Sequence, residues 1–429
     1  MPSGRSDTPV RGTGGLIKSL NRSRILECLQ QDGPLSRVEL AQRTGISLPA
    51  VSQLVAELER AQLVRAVGKG KSSGGRRPLL YEYNFQSAYV IGLDVGGTKL
   101  AGGLTDLEGN LLATATIPTF DAQANGRSMP VAERLKRLID QLLEKAQVDP
   151  AKVMGVGVGV PGIPDKEKGT VRLAPGLLPD RTLPGAGWEL DVASHIRRWF
   201  GWPVHLDNDV NAILRGERWK GVLQGVDHAL CVTIGTGIGA GLLLGGDVYL
   251  GARGAAGEMG YSLIGALGPV VRAQGYGPLE SFAAGPGIAR RYVERLRAAG
   301  KTVSAAPGGD GRTRDTPEVT ARAVAEAAEG GDPVALEIWR ETAEMLGVAL
   351  ANAAALLDPE VIVLGGGVAR APERLLLEPV RRIVETLVPY PPKVVVSALG
   401  EQAGVLGAVA IALDARRSSI SFMTAEVGV

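Results

Sequence analysis

The sequence predicts an α/β protein of two unlike parts, a small helical head with a hairpin and a large, internally duplicated body. Apolar residues recur at helical spacing up to about residue 60, and from Tyr89 onward they follow the spacing of strands. The order of strands and helices that begins at Tyr89 starts again near Ala229. The first 90 residues carry 13 Lys and Arg against 7 Asp and Glu, and the remainder carries 34 against 38. A basic head therefore precedes a mildly acidic body, and any polyanion is expected on the head.

The first two helices of the head follow from apolar spacing and from helix-end signals. Apolar residues from Leu16 to Leu29 predict a helix that Gly33 ends. The run Ser36-Arg37-Val38-Glu39 has the pattern of a capping box, in which the first and fourth side chains bond each other's backbone. It therefore predicts the start of a second helix, which stops at Gly45.

The third helix and the hairpin complete the head. Ser47 is expected to cap a helix over residues 47–59, because Ser is favoured at that position. Two apolar runs, 63–67 and 79–83, flank the polar stretch 68–77 and predict a β-hairpin. Three helices followed by a hairpin predict a winged helix-turn-helix. One apolar stripe of the third helix is expected to face the core: Val51, Leu54, Val55 and Leu58.

The third helix is the candidate DNA-reading element, since the second helix of a helix-turn-helix lies in the major groove. With its apolar stripe turned inward, Gln53 faces outward and is suited to pair with an adenine edge. Basic residues of the hairpin are suited to phosphates or to the minor groove. The alternative is a small protein-interaction domain with a solvated basic loop. The residues predicted to contact DNA are Ser47, Pro49, Ser52, Gln53, Lys69, Lys71, Arg76 and Arg77.

The body consists of two halves that repeat one order of elements. The first half is predicted to contain three strands, a helix and a buried strand: 89–95, 100–106, 111–117, Val131–Lys145 and Val153–Val160. The second half is predicted to contain five strands: 229–234, 240–244, 247–250, Val361–Leu364 and Val394–Ser397. Two β-rich halves that each open around a Gly-rich turn indicate a duplicated nucleotide-binding fold. The stretch Gly300–Pro317 breaks the pattern and predicts a surface insertion.

Three Gly-rich segments are candidates for binding a nucleotide. The first, Asp94-Val95-Gly96-Gly97-Thr98-Lys99, has glycines that let a phosphate approach the backbone, a cation, and a carboxylate suited to Mg²⁺. Alone it is explained equally well by a tight turn. Its repetition at Thr233–Gly239, together with the Gly365–Gly367 cluster, favours the nucleotide. The predicted nucleotide-binding residues are Asp94, Gly96, Gly97, Thr98, Lys99, Gly235, Thr236, Gly237, Gly365 and Gly366.

Acidic and amide side chains between and after the halves are candidates for catalysis and sugar binding. Asp209, in the run Asp207-Asn208-Asp209-Val210-Asn211, follows a predicted strand. A carboxylate there can accept the proton of a substrate hydroxyl that attacks a γ-phosphate. Helix capping by Asn208 or Asp209 is the alternative. Glu258 and Glu280 are suited to sugar hydroxyls, although each taken singly is more typical of a surface acid.

Composition argues against membrane and secreted classes. No run approaches eighteen consecutive apolar residues, and Met1–Gly15 has no apolar core. Cys28 and Cys231 are the only cysteines, too few for a disulfide framework or a cysteine-built zinc site. We therefore expect a cytoplasmic protein with no membrane partner.

Taken together, these motifs resemble the ROK family, which groups sugar-dependent repressors with sugar kinases. The resemblance runs from about Leu16 to Leu413 and includes Gly159-Val160-Pro161-Gly162 beside the segments above. It implies a two-lobed, actin-like ATPase fold (a duplicated ribonuclease H-like architecture), with sugar in the cleft and a homodimer or tetramer. It also implies that the segment near Gly404–Leu413 packs onto the first lobe. The implied domains are a disordered tail 1–15, a winged helix-turn-helix 16–85, a small lobe 86–207 with 404–415, and a large lobe 208–403.

The resemblance also assigns roles to particular residues. Asp209 matches the catalytic base. The sugar-contacting positions are Gly162, Asn208, Asp209, Glu258 and Glu280, with Tyr261 where the family has a sugar-contacting His.

One departure from the family concerns zinc, which the family holds with that His and three Cys. Here Tyr261, Val271, Ala273 and Pro278 stand at those positions. Because a tetrahedral zinc site needs such ligands, we expect no structural zinc and no other structural metal here. The changed residues, together with Ala174-Pro175-Gly176-Leu177, where the family often has Asn after the Pro, leave the identity of the sugar open.

Two functions fit these observations. The first is a transcription regulator of carbohydrate genes, expected to be a repressor, with operator DNA and a sugar effector as partners. The second is an ATP-dependent sugar kinase that uses Asp209, with ATP and Mg²⁺ as cofactors. The basic head and the altered zinc loop favour the regulator, and they weigh against an enzyme without deciding the question.

Overall fold

The computed structural model describes residues 13–70, 77–120, 130–172, 189–263, 277–300 and 319–423. The chain forms two compact units, which we name the head unit and the body unit. The head unit comprises residues 1–89, Asp106–Asn110 and Leu413–Val429, and the body unit comprises Val90–Thr105 and Leu111–Ala412. The predicted insertion Gly300–Pro317 falls, apart from Gly300, outside the described residues.

The head unit contains the predicted three helices and hairpin. Its helices are α1 (Thr13–Asp32), α2 (Arg37–Thr44) and α3 (Leu48–Arg60). Its strands are β1 (Leu35–Ser36), β2 (Val64–Lys69) and β3 (Leu79–Tyr83), in the order β1-β3-β2. Helix α1 begins inside the predicted tail of residues 1–15, whose first 12 residues lie outside the described part of the chain. The winged helix-turn-helix expected from the sequence is confirmed.

Helix ends in the head show one prediction confirmed and one corrected. Ser36 Oγ accepts from the Glu39 N–H at 3.2 Å, and Glu39 Oε2 accepts from the Ser36 N–H at 2.8 Å, so the capping box is present. Gly45 ends α2 at a φ of 70°, a left-handed conformation that favours glycine. Ser47 occupies the N-cap position of α3, but its side chain makes no capping hydrogen bond. Because α3 has a proline in its first turn, it has one donor fewer to satisfy.

The core of the head unit is a single apolar cluster between the helices and the hairpin. The predicted stripe of α3 is buried in it: Val51, Leu54, Val55 and Leu58. It packs with Ile25 and Leu29 of α1 and with Tyr81 and Tyr83 of β3. Burial of this stripe fixes which face of α3 is left for a partner.

The body unit contains two five-stranded sheets of the same order. The first sheet has the order β11-β7-β4-β5-β6. The second has the order β14-β13-β12-β15-β16. Their strands are β4 (Tyr89–Val95), β5 (Lys99–Asp106), β6 (Leu111–Pro118), β7 (Val153–Val160), β11 (Val204–Asn208), β12 (Ala229–Ile234), β13 (Ile238–Leu244), β14 (Asp247–Tyr249), β15 (Val361–Gly365) and β16 (Lys393–Val396).

In both sheets the first strand of the half is central, with the next two strands on one side and the later two on the other. This repetition bears out the predicted duplication. A smaller sheet is formed by β8 (Ile163–Asp165), β9 (Thr170–Arg172) and β10 (Glu189–Asp191).

The helices of the body unit surround these sheets. They are α4 (Val131–Ala146), α5 (Val192–Phe200), α6 (Asp209–Lys220), α7 (Pro278–Ala283), α8 (Gly285–Ala298), α9 (Ala321–Glu329), α10 (Pro333–Leu357), α11 (Leu377–Leu387) and α12 (Ala403–Met423), of which α12 continues into the head unit. A large apolar cluster joins α7–α11 to the second sheet. Among the described residues, no helix combines the length and apolar character needed to cross a membrane.

The start of α12 packs directly on the first sheet. A Cβ added at Gly157 of β7 would overlap the Ala408 carbonyl, and one at Gly92 of β4 would overlap the Val405 carbonyl. The glycines of two neighbouring strands therefore let the helix backbone touch the sheet. The predicted return of the C-terminal segment to the first lobe is observed.

Candidate functional site

Several predicted site residues follow strands that end at one edge of the first sheet. Strands β7 and β11 are parallel, with Gly159 opposite Asp207 and Val160 opposite Asn208. Strand β4, which carries Asp94 near its end, lies next to β7. Ligands of open α/β sheets bind beyond the carboxyl ends of such strands.

Asn208 joins two of these segments. Its Oδ1 accepts from the N–H groups of Val210 at 2.9 Å and Asn211 at 3.4 Å, which caps α6. Its Nδ2 donates to the Gly162 carbonyl at 3.0 Å, in a turn where Gly162 has a φ of 93°. The capping role that was one alternative for this run thus belongs to Asn208.

Asp209 follows the cap as the first residue of α6 and is half-buried. Burial, reinforced by the negative charges of Asp94 and Glu258, raises the pKa of Asp209 to about 7. Asp209 Oδ1 accepts a hydrogen bond from the N–H of Val210 at 3.0 Å. A carboxylate with a pKa near neutrality is suited to accept and return a proton at physiological pH.

The Asp94 carboxylate, at the end of β4, lies beside the first residues of α12. A Cβ on Gly404 would come within 2.5 Å of Asp94 Oδ2, so a glycine is required for the carboxylate to approach this helix N-terminus. Negative charge is favoured there by the helix dipole. Burial raises the pKa of Asp94, and the nearby Lys99 ammonium opposes that rise.

Glu401 brings the first Gly-rich loop and the third Gly cluster together. Lys99 Nζ lies 3.5 Å from Glu401 Oε2, and Arg370 donates to Glu401 Oε1 at 2.7 Å. Arg370 lies in the short turn Val368–Arg370 directly after the Gly365–Gly367 cluster. Two cations therefore converge near both of these segments, which were predicted to bind a nucleotide.

The second Gly-rich loop connects β12 to β13 and lies against β15. A Cβ at Gly366, whose φ is 86°, would lie 2.5 Å from the Ile234 carbonyl oxygen, so this position requires glycine. A Cβ at Gly235 or Gly367, in contrast, would meet nothing within 4 Å. The backbone of these loops therefore borders open space.

Glu280 and Glu258 lie near the second loop. Glu280 Oε2 accepts from the Ile238 N–H at 2.9 Å, and Gly237 and Gly260 leave room for its carboxylate. Burial raises the pKa of Glu280, and the negative charge of Glu258 adds to that rise. Partial burial of the carboxyl group also raises the pKa of Glu258, although the residue as a whole is exposed. Tyr261 is exposed as well.

Asp207 is a positioning residue that sequence reasoning did not single out. It is 2% exposed, and its Oδ2 accepts from Lys166 at 2.9 Å and from Arg215 at 3.3 Å. Its Oδ1 accepts from the N–H of Asn208 at 2.9 Å. Asp207 thus ties the loop between β8 and β9 to the segment that carries Asn208 and Asp209. Its position beside Asn208 and Asp209 in sequence was the available signal, but Lys166 lies 41 residues away.

A surface pocket lined by Asp358–Glu360 and Pro389–Pro392 lies away from these residues. These segments precede β15 and β16, at the opposite ends of those strands from the Gly365 cluster. The pocket therefore does not belong to the predicted site.

In the head unit, the DNA-facing candidates that the structure describes are accessible. Ser47, Pro49 and Gln53 are exposed, and Ser52 is half-buried. Lys69 at the end of β2 and Arg77 are also exposed. Lys71 and Arg76 lie outside the described residues.

Two family models match the chain. The model of the ROK family matches residues 90–415. The chain belongs to the ROK family. The model of a winged helix-turn-helix DNA-binding domain matches residues 19–65, so this ROK protein carries a DNA-binding head of the type found in transcription regulators.

Relatives of this ROK protein include regulators and kinases. It is 31% identical to a putative xylose repressor of Caldicellulosiruptor sp. (strain Rt8B.4), over 94% of this chain and 98% of the relative. Among solved structures, a ROK family transcriptional regulator described as a homologue of E. coli MLC covers 96% of this chain and 100% of its own, with 25% identity and a TM-score of 0.73. A ROK family glucokinase from Streptomyces griseus, solved with glucose and AMPPNP, covers 75% of this chain and 98% of its own, with 32% identity and a TM-score of 0.60. The regulators match the head as well as the body, whereas the kinase leaves about a quarter of this chain unmatched.

Of the four positions where zinc ligands were predicted to be missing, the structure describes Tyr261 and Pro278, while Val271 and Ala273 lie outside the described residues. Among the described residues of this ROK protein, no three His, Cys, Asp or Glu side chains are grouped as metal ligands. The absence of structural zinc remains a prediction.

Proposed function

We propose that this ROK protein represses genes of sugar metabolism and that a sugar bound in the body unit controls its affinity for operator DNA. The observation that carries this proposal is the likeness to a putative xylose repressor over 94% of the chain, head included. A protein that only phosphorylated sugar would have no use for a basic winged helix-turn-helix with an exposed reading helix.

The effector that fits the body unit is a neutral hexose or pentose. Asp209, Glu258 and Glu280 present carboxylate oxygens, which accept hydrogen bonds from sugar hydroxyls, and the Asn208 amide has a second N–H that can donate to a sugar oxygen. Asn208 is oriented by its bonds to α6 and Gly162, and Glu280 by the Ile238 N–H. The name of the relative puts xylose first among the sugars to test.

Control by sugar requires that the sugar bind one conformation of the protein more tightly than the other. A ligand with equal affinity for both would leave DNA binding unchanged. Coupling of about tenfold in operator affinity corresponds to about 1.4 kcal/mol of differential binding.

We further propose a homodimer or tetramer, because two heads would read two half-sites of a palindromic operator. Light scattering of the purified protein tests this.

A gel-shift with the DNA that flanks the protein's own gene tests the repressor function, with and without a panel of hexoses and pentoses. We expect a sequence-specific complex at physiological salt that one sugar weakens about tenfold or more. The variant Glu280→Gln, which keeps an oxygen for the Ile238 N–H, is expected to bind DNA normally and to respond less to the sugar. Absence of a sequence-specific complex at physiological salt would overturn the repressor function.

A sugar kinase is the second candidate, favoured by the position and pKa of Asp209. The chain offers groups that fit a nucleotide: backbone that borders open space at Gly235 and Gly367, the cations Lys99 and Arg370, and the Asp94 carboxylate for Mg²⁺. Bound ATP would supply an electrophilic γ-phosphoryl group. In this function, Asp209 accepts the proton of the sugar hydroxyl, while Asn208 and Glu280 orient the sugar.

An assay that couples ADP release to a spectroscopic signal tests the kinase function over the same sugars. If the protein is a kinase, Asp209→Asn is expected to lower turnover by about 10²- to 10⁴-fold, since general-base catalysis contributes an effect of that size. Turnover that survives this substitution would show that Asp209 is not the base. No turnover with any sugar would leave the repressor as the function.

A further inference from the structure

Glu57 on the DNA-reading helix α3 is the centre of a network of three side chains in the head unit. Its Oε1 accepts from Lys18 at 2.9 Å and from Gln53 Nε2 at 3.2 Å, and its Oε2 accepts from Arg22 at 2.5 Å. Lys18 and Arg22 belong to α1, so the network joins the first and third helices. Gln53 lies one turn before Glu57 on the same helix and is the side chain suited to read an adenine.

The contact with Glu57 determines how the Gln53 amide is turned. An ionised carboxylate only accepts hydrogen bonds, so the amide must present its NH₂ group to Glu57. An adenine edge in the major groove offers one acceptor and one donor, and a glutamine matches them with its second N–H and its carbonyl oxygen. Within the described part of the chain, Gln53 therefore keeps free the two groups that a bidentate contact needs.

Glu57 can orient Gln53 on a DNA-reading helix because the negative charge of its carboxylate is compensated by two cations. Hydrogen bonds, chiefly those from Lys18 and Arg22, lower the pKa of Glu57 to about 2. The carboxylate therefore stays ionised at physiological pH. The two cations also offset the repulsion that an isolated carboxylate would exert on DNA phosphates. The Glu57 side chain is 16% exposed, which limits its freedom to leave Gln53.

We propose that Glu57 is a positioning residue for base recognition, which turns the Gln53 amide so that it reads an adenine in the operator. This inference rests on the proposed binding of operator DNA. Glu57 itself does not contact the base. It lowers the cost of ordering Gln53, because a side chain that is already oriented loses less freedom on binding.

The competing explanation is that Glu57 only ties α1 to α3. Asp32 offers a matched control, since its carboxylate joins α1 to Arg43 of α2 at 2.5 Å and lies outside the predicted DNA-reading residues. The substitutions Glu57→Gln and Asp32→Asn both replace a carboxylate with an amide of the same shape at a contact between helices. A glutamine at position 57 can donate as well as accept, so it no longer dictates the direction of the Gln53 amide.

The test is selection by the full-length protein from a library of random double-stranded oligonucleotides, followed by binding measurements on single-base variants of the selected site. We expect Gln53→Ala to lose about tenfold or more of the preference for adenine at one base pair of each half-site. Glu57→Gln is expected to lose preference at that same base pair and to add no further loss in a Gln53→Ala background. Asp32→Asn is expected to keep the full preference.

Thermal unfolding of each variant accompanies the selection. If Glu57→Gln does not fold, Glu57→Asp replaces it, because the shorter carboxylate stays charged for Arg22 but withdraws from Gln53.

Three results would overturn the inference. The first is a Glu57 variant that keeps the preference which Gln53→Ala loses. The second is a Glu57 variant that weakens binding to every sequence equally, as a purely structural tie would. The third is a Gln53→Ala protein with unchanged preference at every base pair. If the unaltered protein selects no sequence at all, the proposed DNA-binding function fails first, and this inference fails with it.

Discussion

Glu57 in the head unit and Asp209 in the body unit are acids whose surroundings shift their protonation in opposite directions. Lys18, Arg22 and Gln53 all donate to Glu57, and its pKa is lowered to about 2. Asp209 has acids for its electrostatic neighbours, and burial with those charges raises its pKa to about 7. The difference shows that the head uses a carboxylate as a permanent charge to orient other side chains, whereas the body keeps one close to its titration point.

Particular glycines of the two units show two different reasons for the absence of a side chain. At Gly33 and Gly45 in the head, a Cβ would meet nothing within 4 Å, and the positive φ alone favours glycine. At Gly157 in the body, a Cβ would overlap the backbone of α12. Gly33 and Gly45 are thus favoured by local backbone conformation, and Gly157 is required by the close approach of a segment that is distant in sequence.

The largest expected effect is that of a side chain placed at Gly157, where α12 approaches β7. Gly157→Ala should destabilise the body unit by about 2 kcal/mol or more, because α12 would have to move off β7. Gly155→Ala is the matched control on the same strand, since its nearest contact would be an ordinary 3.4 Å. Thermal unfolding of both variants measures the difference. Equal melting temperatures would show that α12 yields without cost.

The next effect is the pH dependence that Asp209 contributes. Its pKa rises from 3.8 in the unfolded chain to about 7 in the folded protein, so folding favours the protonated form. The contribution of Asp209 to stability is therefore full below about pH 4 and is lost as pH rises to 7. Asp209→Asn, which mimics the neutral acid, should be more stable than the unaltered protein at pH 8, with the gap closing toward pH 4.

Melting temperatures between pH 4 and pH 8 check this prediction. Asp207→Asn provides a contrast, because Asp207 is held by Lys166 and Arg215 and its replacement should destabilise the protein at neutral pH. If Asp209→Asn also destabilises the protein at pH 8, Asp209 is stabilised as an anion and the contrast with Glu57 does not hold.

A smaller effect is expected at Glu57, with the opposite sign. Its pKa falls from 4.5 in the unfolded chain to about 2, so its contribution is present above about pH 4.5 and is lost as pH falls toward 2. Glu57→Gln should cost about 1 kcal/mol at pH 7 and low salt, and less in high salt, because Lys18 is partly solvent-exposed. Urea unfolding at two salt concentrations measures both values. A loss that does not change with salt would indicate packing, rather than charge, as its source.

The smallest expected changes in stability are those of substitutions at two N-caps in the head. Ser36→Ala should destabilise the head by about 1 kcal/mol, because it removes the capping box of α2. Ser47→Ala should change stability by less than about 0.5 kcal/mol, because its hydroxyl makes no capping bond. Equal losses in urea unfolding would contradict the difference between these two helix ends.

Local signals made much of the architecture predictable. The capping box at Ser36, the turn at Gly45 and the stripe from Val51 to Leu58 each depend on residues within a few positions of one another, and all three are present in the structure. The nine strands for which bounds were predicted lie within about two residues of those bounds, because runs of alternating or apolar residues with turn signals define them locally. No bounds were predicted for β8, β9, β10 and β11. Ser47 is the exception, because whether a serine hydroxyl caps a helix depends on geometry that the sequence pattern does not contain.

The surroundings of the site residues could not be predicted in the same way. Lys166 reaches Asp207 across 41 positions, and Glu280 receives the Ile238 N–H across 42. Gly404 allows Asp94 to approach the start of a helix about 310 residues further along the chain. Such pairs have no periodicity between them, since they meet only after the sheets have formed and α12 has returned to the first sheet.

The sequence by itself determined the two-part architecture, the ROK resemblance and the identities of Asp209 and Gln53 as candidate residues, because motifs and periodicity are local properties. Only the tertiary structure decided the chemical state of those residues. Burial beside Asp94 and Glu258 raises the pKa of Asp209 to about 7, so that its neutral and ionised forms are both populated near that pH. The network of Lys18, Arg22 and Glu57 turns the Gln53 amide. The physical reason is that pKa and side-chain orientation depend on the charges, dipoles and solvent that surround a group in space, and folding alone brings those together.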